Sequence, residues 1–488
     1  MSETIVIKEP VMLDKTGVEL VKVGRSIAAA LWAEKLGENI EKKDVNFYDY
    51  DGKRVYSYTK AEFLGLSAMP ANPAHTGLTA QGWNWTLEQA QTYVQKYGYL
   101  EIGQNYITDD GKTRLYVKIT QTVQFPVTLM FNQSIANGVT IDWGDGASEV
   151  AETAEKVTVS HTYAEKGNYI ITLEAAEGCA VRLGQATGTG ATQAATGASS
   201  SRFFTQGLRA AGTSSGREAL VALEIGAGVN DIGSGALFMC TALETITVPN
   251  TVEFVRNMSM HGCINLKFFV VPSGVTQLLD YVFGYCYGIK AMCLPPTLTT
   301  LGTHTFHGCT DVARFTLPEG VTNLPNYVFE ACYTADVIVL PDTIVGAVGK
   351  CAFAHCYGVE SIKLPSGVTS VGDYAFDQCH ALRVLELNEG ITTIGLSAFR
   401  SCFGFTDLVI PSTVTEIKKL AFLYNDGANS FHIKATTPPV LEPTAFTSVQ
   451  TNLVIYVPYS EDHSILDAYL AATGWSGKGD NIREEDAE

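Results

Sequence analysis

Eight cysteines fall in one column: Cys240, Cys263, Cys286, Cys309, Cys332, Cys356, Cys379 and Cys402, stepping by 23 with a single step of 24. Thiols in such numbers raise two chemistries, zinc ligation and disulfide bonding. Zinc needs ligands converging from nearby positions, and the chain has no Cys-x-x-Cys pair. The column therefore reads as small, thiol-bearing core residues, although repeat layers ~4.8 Å apart also permit an occasional disulfide by distance. Cys179, Cys293 and Cys351 stand outside the column and bring the total to an odd eleven.

Other reactive groupings are weaker. The run from Gly212 to Gly216 matches the Gly-x-Ser-x-Gly pattern of serine hydrolases, but no strong strand precedes it and it lies in low-complexity sequence. Asp142 and Asp145 offer two carboxylates to calcium. Without further oxygen ligands such a pair closes a turn. Glycoside hydrolysis needs two carboxyls facing one cleft; Glu360 and Glu386 lie in adjacent repeats but out of register with each other. The histidines have no carboxylate at catalytic spacing. No active site, metal site or cofactor is expected, and the chain reads as non-enzymatic.

Binding is the better-supported chemistry. Two columns are expected to point outward from the repeats. One, on the strand face, runs Thr245, Phe268, Ala291, Arg314, Val337, Ser361, Val384 and Asp407. The other follows each cysteine: Thr241, Ile264, Tyr287, Thr310, Tyr333, Tyr357, His380 and Phe403, with Tyr285, His307 and His355 beside it. Exposed aromatic rings suit sugars or protein contact; equally, such rings can cover the loops beneath them. The candidate ligand-binding residues are Phe268, Arg314, Tyr285, Tyr287, Tyr333, Tyr357 and Phe403.

The element that must position them is the repeat. Prolines at 249, 272, 295, 318, 341, 365 and 411 keep the same period and the same one-residue insertion as the cysteines, with Asn388 in the missing place. Two columns sharing period and insertion mean stacked supersecondary units, a solenoid. Leu243, Ile246 and Val248 of one unit, and Leu266, Phe269 and Val271 of the next, should point inward. Phe283, Phe306, Phe329, Phe353, Phe376 and Phe399 should line the opposite wall with the cysteines. The unit, clearest from Val359 to Cys379, resembles the BspA-like leucine-rich repeat of bacterial surface and phage proteins. The resemblance covers about 240 residues, 216–457. Leu237 and Met260 stand where later copies have Phe, and Asn425 stands where a last cysteine would.

Ahead of the array, residues 1–45 form an attachment segment with a helix expected over Val18 to Leu36. Residues 46–118 read as a small α+β module. It has a hairpin at Asp51-Gly52, capping boxes at Thr59/Glu62 and Thr86/Gln89, a helix stopping at Gly98, and a second hairpin at Asp109-Asp110-Gly111. Trp83, Trp85, Tyr93, Tyr97 and Tyr99 fit that module's core better than a sugar platform. Residues 119–215 alternate as sandwich strands do, followed by a Gly/Ala/Thr-rich insertion or linker with a returning strand at Arg202 to Thr205. The run VTIDWGDG from Val139 to Gly146, with HTYAEKGNYIITL from His161 to Leu173, resembles the PKD-type immunoglobulin-like domain. Residues 458–488 read as a C-terminal cap helix and acidic tail. The fold class is thus multidomain and mainly β: an α+β module, a PKD-like β-sandwich and a leucine-rich-repeat solenoid.

A net charge of −18 disfavours nucleic acid or an anionic membrane as partner. No apolar run is long enough to span a bilayer, and the first ten residues lack a secretory pattern. Surface-type modules without an export signal resemble phage or prophage fibre proteins. That resemblance implies a virion appendage, held to other virion proteins by residues 1–45, homo-oligomeric, whose array binds a host-surface glycan or protein. A bacterial cell-surface adhesin and a fibre-borne glycan depolymerase are the alternatives.

Overall fold

The computed structural model describes residues 43–120, 126–185, 202–206, 218–449 and 453–486. The helix expected over Val18 to Leu36 and the Gly212–Gly216 run lie outside the described residues.

The α+β module has a four-stranded sheet ordered β2-β1-β4-β3, made from β1 (Val45–Tyr48), β2 (Arg54–Tyr58), β3 (Leu78–Trp83) and β4 (Leu100–Thr108). Helices α1 (Lys60–Leu64) and α2 (Leu87–Tyr97) begin where the sequence places them. Thr59 and Thr86 each accept a hydrogen bond from the amide three residues on, and Glu62 and Gln89 reach back to the cap amide. Gly98 ends α2 at φ +85°, a left-handed position open to glycine at little cost. Trp85 and Tyr93 are buried in the core with Phe47, Phe63 and Ile102.

The second expected hairpin does not form. Its turn is made, with the Gly111 amide bonded to Thr108 O, but β5 (Thr113–Ile119) leaves β4. It pairs antiparallel with β10 (Gly167–Ala175) and β13 (Leu220–Glu224) in another sheet. The reason is burial: β5 alternates cleanly, and its Leu115, Val117 and Ile119 belong to the core of that second sheet.

Two sheets follow. One is ordered β15-β13-β5-β10-β7-β8, with β7 (Val139–Asp142), β8 (Ser148–Val150) and β15 (Thr245–Thr247). The other starts β12-β6-β11-β14-β16, with β6 (Val127–Gln133), β11 (Val181–Leu183), β12 (Phe204–Gln206), β14 (Val229–Ile232) and β16 (Phe254–Val255); β9 (Glu155–His161) pairs β6. Trp143 is buried between them, and the Tyr163 hydroxyl donates to its carbonyl. Asp142 and Asp145 accept from the amides of Gly144 and Ala147, closing the turn, and Asp145 also meets His161 Nε2 at 2.7 Å. Because β13 to β16 already belong to the first coils, each sheet runs on into one face of the solenoid. One hydrophobic core extends from Leu115 to Trp475 without a break.

In the array, strand residues pair in parallel with those 23 positions on, as Phe268 with Ala291, Arg314 with Val337 and Ser361 with Val384. Leu266, Phe269 and Val271 are buried. The Phe column stacks layer on layer: Phe306 on Phe329 at 5.5 Å, Phe353 on Phe376 at 4.9 Å, Phe376 on Phe399 at 5.4 Å. The stack runs one layer past the last expected copy, to Phe446 on Phe422 at 5.2 Å, and ends against Trp475 at 5.9 Å. The cysteine column is buried and its thiols are free. From Cys263 to Cys402, each thiol donates to a carbonyl of the preceding coil, Cys332 to Phe306 O and Cys402 to Phe376 O for example. Asn425 does the same with its amide, donating to Phe399 O at 2.9 Å.

The C-terminal end is closed by α3 (Ser464–Ala471), by Trp475 donating to Pro439 O, and by a strand, Ile482–Glu484, parallel to Val454–Val457. The expected acidic tail is therefore partly structural. Glu484 meets His463, and Glu485 meets His432 and Lys434. Among the described residues no helix is long and apolar enough to cross a membrane.

Candidate functional site

Two of the expected ligand-facing residues face the chain itself. The α+β module folds back over the strand face of the first coils. Phe268 is 1 % exposed and packs with Tyr48, Val270, Ala291 and Cys293. Arg314 is 8 % exposed. Its Nη1 lies 3.2 Å from Glu101 Oε1 and donates to the carbonyls of Lys43 and Asp44, and its guanidinium sits over the Tyr99 ring at 4.6 Å. Asn105 donates to Val248 O, Trp85 to Leu294 O and Tyr93 to Leu317 O, and in the coil between the first two Phe268 and Val270 pack against Tyr48. Gly103 permits the contact: a Cβ there would lie 2.5 Å from Val270 Cγ2 and 2.9 Å from Cys293 Cβ. The physical reason for the correction is that the outward residues Phe268, Val270, Ala291 and Cys293 are apolar and the module buries them, while it offers Arg314 a carboxylate and two carbonyls. Only the later part of the column, Ser361, Val384 and Asp407, is open, with Lys363 and Glu386 paired beside it at 3.3 Å.

The outer-turn edge is different. Each turn places two residues in the left-handed region, five and one before the cysteine; Tyr281 and Tyr285 (φ +56° and +59°), Tyr327 and Ala331 (+61° and +60°) are examples. For L-residues this costs roughly 1–2 kcal/mol each. Amides bonding to the next coil offset it, such as Tyr285 N to His307 O and Ala331 N to Ala354 O. The turn so made throws its flanking side chains outward. Tyr285, Tyr287 and Tyr333 are 39 %, 43 % and 43 % exposed. Tyr357 and Phe403 are half-buried.

These rings form ladders. Tyr333, Tyr357, His380 and Phe403 follow one another at 5.0, 4.8 and 5.1 Å. A second ladder, Tyr281, His304 and Tyr327, steps at 4.1 and 4.3 Å. Burial holds His261 and His304 down to about 4, so both rings are neutral at pH 7. His307 Nδ1 is 2.9 Å from Glu330. Sequence reasoning gave the column but not the stacking; the signal was there in the recurrence of flat side chains at one register position.

Chemically the edge can hold and orient, with little means to react. Burial pushes the column thiols up, Cys240 and Cys286 to about 12, so they stay protonated and poorly nucleophilic at neutral pH. Among the described residues no three His, Cys, Asp or Glu side chains converge as a metal site would need. The buried Asp49, bridging His75 Nε2 at 2.7 Å and the Tyr106 hydroxyl at 2.8 Å, ties the module together.

Residues 216–336 and 336–453 match the BspA type leucine rich repeat region, in six copies. No curated protein matches the chain. Among solved structures, a leucine-rich repeat protein from Bacteroides ovatus is 24% identical, with 52% of this chain and 68% of that one covered and a TM-score of 0.45. A leucine rich cell surface protein from Faecalibacterium prausnitzii is 21% identical over 51% of this chain and 81% of that one, TM-score 0.23. A leucine-rich repeat protein of T. pallidum is 21% identical over 42% and 84%, TM-score 0.31. The 23-residue period, the stacked Phe column and the thiol ladder agree with that match: residues 216–453 form a solenoid of BspA-type leucine-rich repeats.

Proposed function

We propose that this chain is a non-enzymatic, adhesin-like repeat protein whose outer-turn edge grips a glycan or protein on a bacterial surface. The observation that carries this reading is the division of the array's two faces. The strand face of the early coils is taken by the chain's own module, while Tyr285, Tyr287 and Tyr333 stand exposed on the opposite turn. Sites repeated along a rigid rod favour avidity over strong single contacts, and a homo-oligomer would multiply them again.

The setting we propose is a phage particle, with residues 1–45 fastening the chain to other virion proteins and residues 119–215, a PKD-like spacer, holding the array away from it. The charge of −18 argues against nucleic acid as the target. Electron microscopy of phage particles with antibody to residues 216–457 tests the setting. Decoration of a tail or head appendage supports it; label confined to bacterial envelopes makes the chain a cell-surface adhesin instead. Incubation with capsular polysaccharide tests the mechanism, since shortened chains would turn a gripping protein into a depolymerase.

A further inference from the structure

The outer ladder is interrupted at one place. At the position after the column cysteine the residues run Tyr287, then Thr310, then Tyr333, Tyr357, His380 and Phe403, so Thr310 alone in this run has no ring. Within the unbroken part each ring lies 4.8–5.1 Å from the next. Stacked rings spend their faces on one another and offer ligands only their edges. The faces bordering Thr310 are not spent in this way. Tyr287 and Tyr333, on either side, are each 43 % exposed, more than the sandwiched Tyr357.

Tyr287 is set as a ladder ring is set. It meets Tyr285, two residues before it, at 6.0 Å and 75°; within the ladder, Tyr357 meets His355 in the same relation at 5.9 Å and 88°. Register places Thr310 between the two tyrosines: its hydroxyl approaches Tyr287 O, and its carbonyl accepts from the Thr334 amide and hydroxyl beside Tyr333. The turn is small at its other flank too, where Gly308 lies against Tyr285. Two coil steps separate the walls, about 10 Å at the usual strand spacing. A guest ring midway would lie about 5 Å from each, within the range of favourable ring stacking.

We propose that the Thr310 notch is a binding site for one pyranose ring, held between the faces of Tyr287 and Tyr333 in place of the missing ladder ring. This rests on the adhesive reading and names its ligand class. A sugar is favoured over an aromatic side chain by the rim. The Thr310 hydroxyl sits at the notch with the half-buried Asp311 carboxylate 3.4 Å from it, and the walls are phenols, so polar groups accompany the two ring faces as a pyranose with its hydroxyls needs.

The test is fluorine NMR of the full chain carrying 3-fluorotyrosine, with Tyr287 and Tyr333 assigned by Tyr→Phe replacement, titrated with the methyl glycosides of glucose, galactose and N-acetylglucosamine. At least one glycoside is expected to move the Tyr287 and Tyr333 signals together, saturating in the millimolar range, with Tyr357 unmoved. Thr310→Tyr fills the notch and should weaken this at least about tenfold, a change of about 1.4 kcal/mol. Tyr287→Ser, which removes one wall, should do the same should the filled variant misfold. No shift with any glycoside, a shift that survives both variants, or a stronger response to p-cresol than to every sugar overturns the proposal. Cell adhesion that persists in Thr310→Tyr while glycoside binding is lost leaves the notch standing and removes its role in adhesion. Adhesion by the natural chain without any glycoside shift does the reverse.

Discussion

Arg314→Leu should release the α+β module from the array without unfolding the array. Glu101, 1 % exposed, would then face a buried surface with its cation gone. Breaking one side of a buried ion pair costs about 3–5 kcal/mol. Here the loss also includes Arg314's bonds to Lys43 O and Asp44 O and its place over Tyr99. The chain carries its own reporter. Cys293 is fully buried beneath the module, outside the core column, so a thiol reagent reaches it only when the module lifts. Column thiols such as Cys332 react only on unfolding of their own coils, and half-buried Cys351 serves as the fast reference. If docking and undocking are fast, labelling of Cys293 tracks the open population. A cost of 3–5 kcal/mol then accelerates it by about two to nearly four powers of ten. Mass mapping of maleimide-labelled peptides over time reads this directly. Glu101→Gln in the Arg314→Leu background should recover part of the loss, because it removes the stranded charge. A rise in Cys293 labelling below about threefold, or one shared equally by Cys332, would refute the docking argument.

Other expectations follow from the same geometry. Gly103→Val should also expose Cys293, since its side chain would start 2.5 Å from Val270 Cγ2. Phe376→Ala should destabilise its part of the array by about 3–5 kcal/mol; because each coil rests on its neighbours, urea unfolding should split into two phases rather than shift as one. Asn425→Ala strips the donor from Phe399 O and should cost about 1–3 kcal/mol, whereas Asn425→Cys, which restores the thiol used in the other coils, should be close to neutral by chemical denaturation. Burial holds His261 and His304 at about 4, against an ordinary 6.5. Between those pH values the unfolded chain binds more protons than the fold, so stability should fall as pH drops through the window and level off below it. Replacing both by Phe, which keeps the stacking, should reduce the dependence of Tm on pH there, with half-buried His380, also lowered, leaving a remainder; carboxylates lowered by their partners, such as Glu62 from 4.5 to about 2, act mainly below the window.

The period of 23 was enough to foresee the layering of Phe306 through Phe399, because a side chain repeated at one register position in parallel coils has no choice but to stack. Caps and turns were legible for the same local reason, at Thr59, Thr86 and Gly98. Long-range choices were not. The turn at Gly111 has the chemistry of a hairpin, and nothing nearby says that β5 will leave β4 for a different sheet. The docking of the module was half written. Outward strand positions read Phe268, Val270, Ala291 and Cys293 in the early coils, then Ser361, Lys363 and Glu386 later. An apolar outward patch that turns polar marks a covered surface, which accounts for Phe268; Arg314 goes under the module for a different reason, its pairing with Glu101 and the carbonyls of Lys43 and Asp44, which no local pattern announces. The edge tyrosines were legible as a column, but the break at Thr310 has meaning only once the rings on either side are seen to stack.

The deciding question is which face of the array meets the cell. Adhesion of the full chain to a susceptible bacterial strain should be compared for two variants of equal thermal stability. Tyr285→Ser with Tyr333→Ser alters the exposed outer-turn edge, and Ser361→Glu with Val384→Glu alters the open part of the strand face. The first should lose binding by at least about tenfold while the second binds like the natural chain. Adhesion unchanged in the tyrosine variant and lost in the strand-face variant would contradict this.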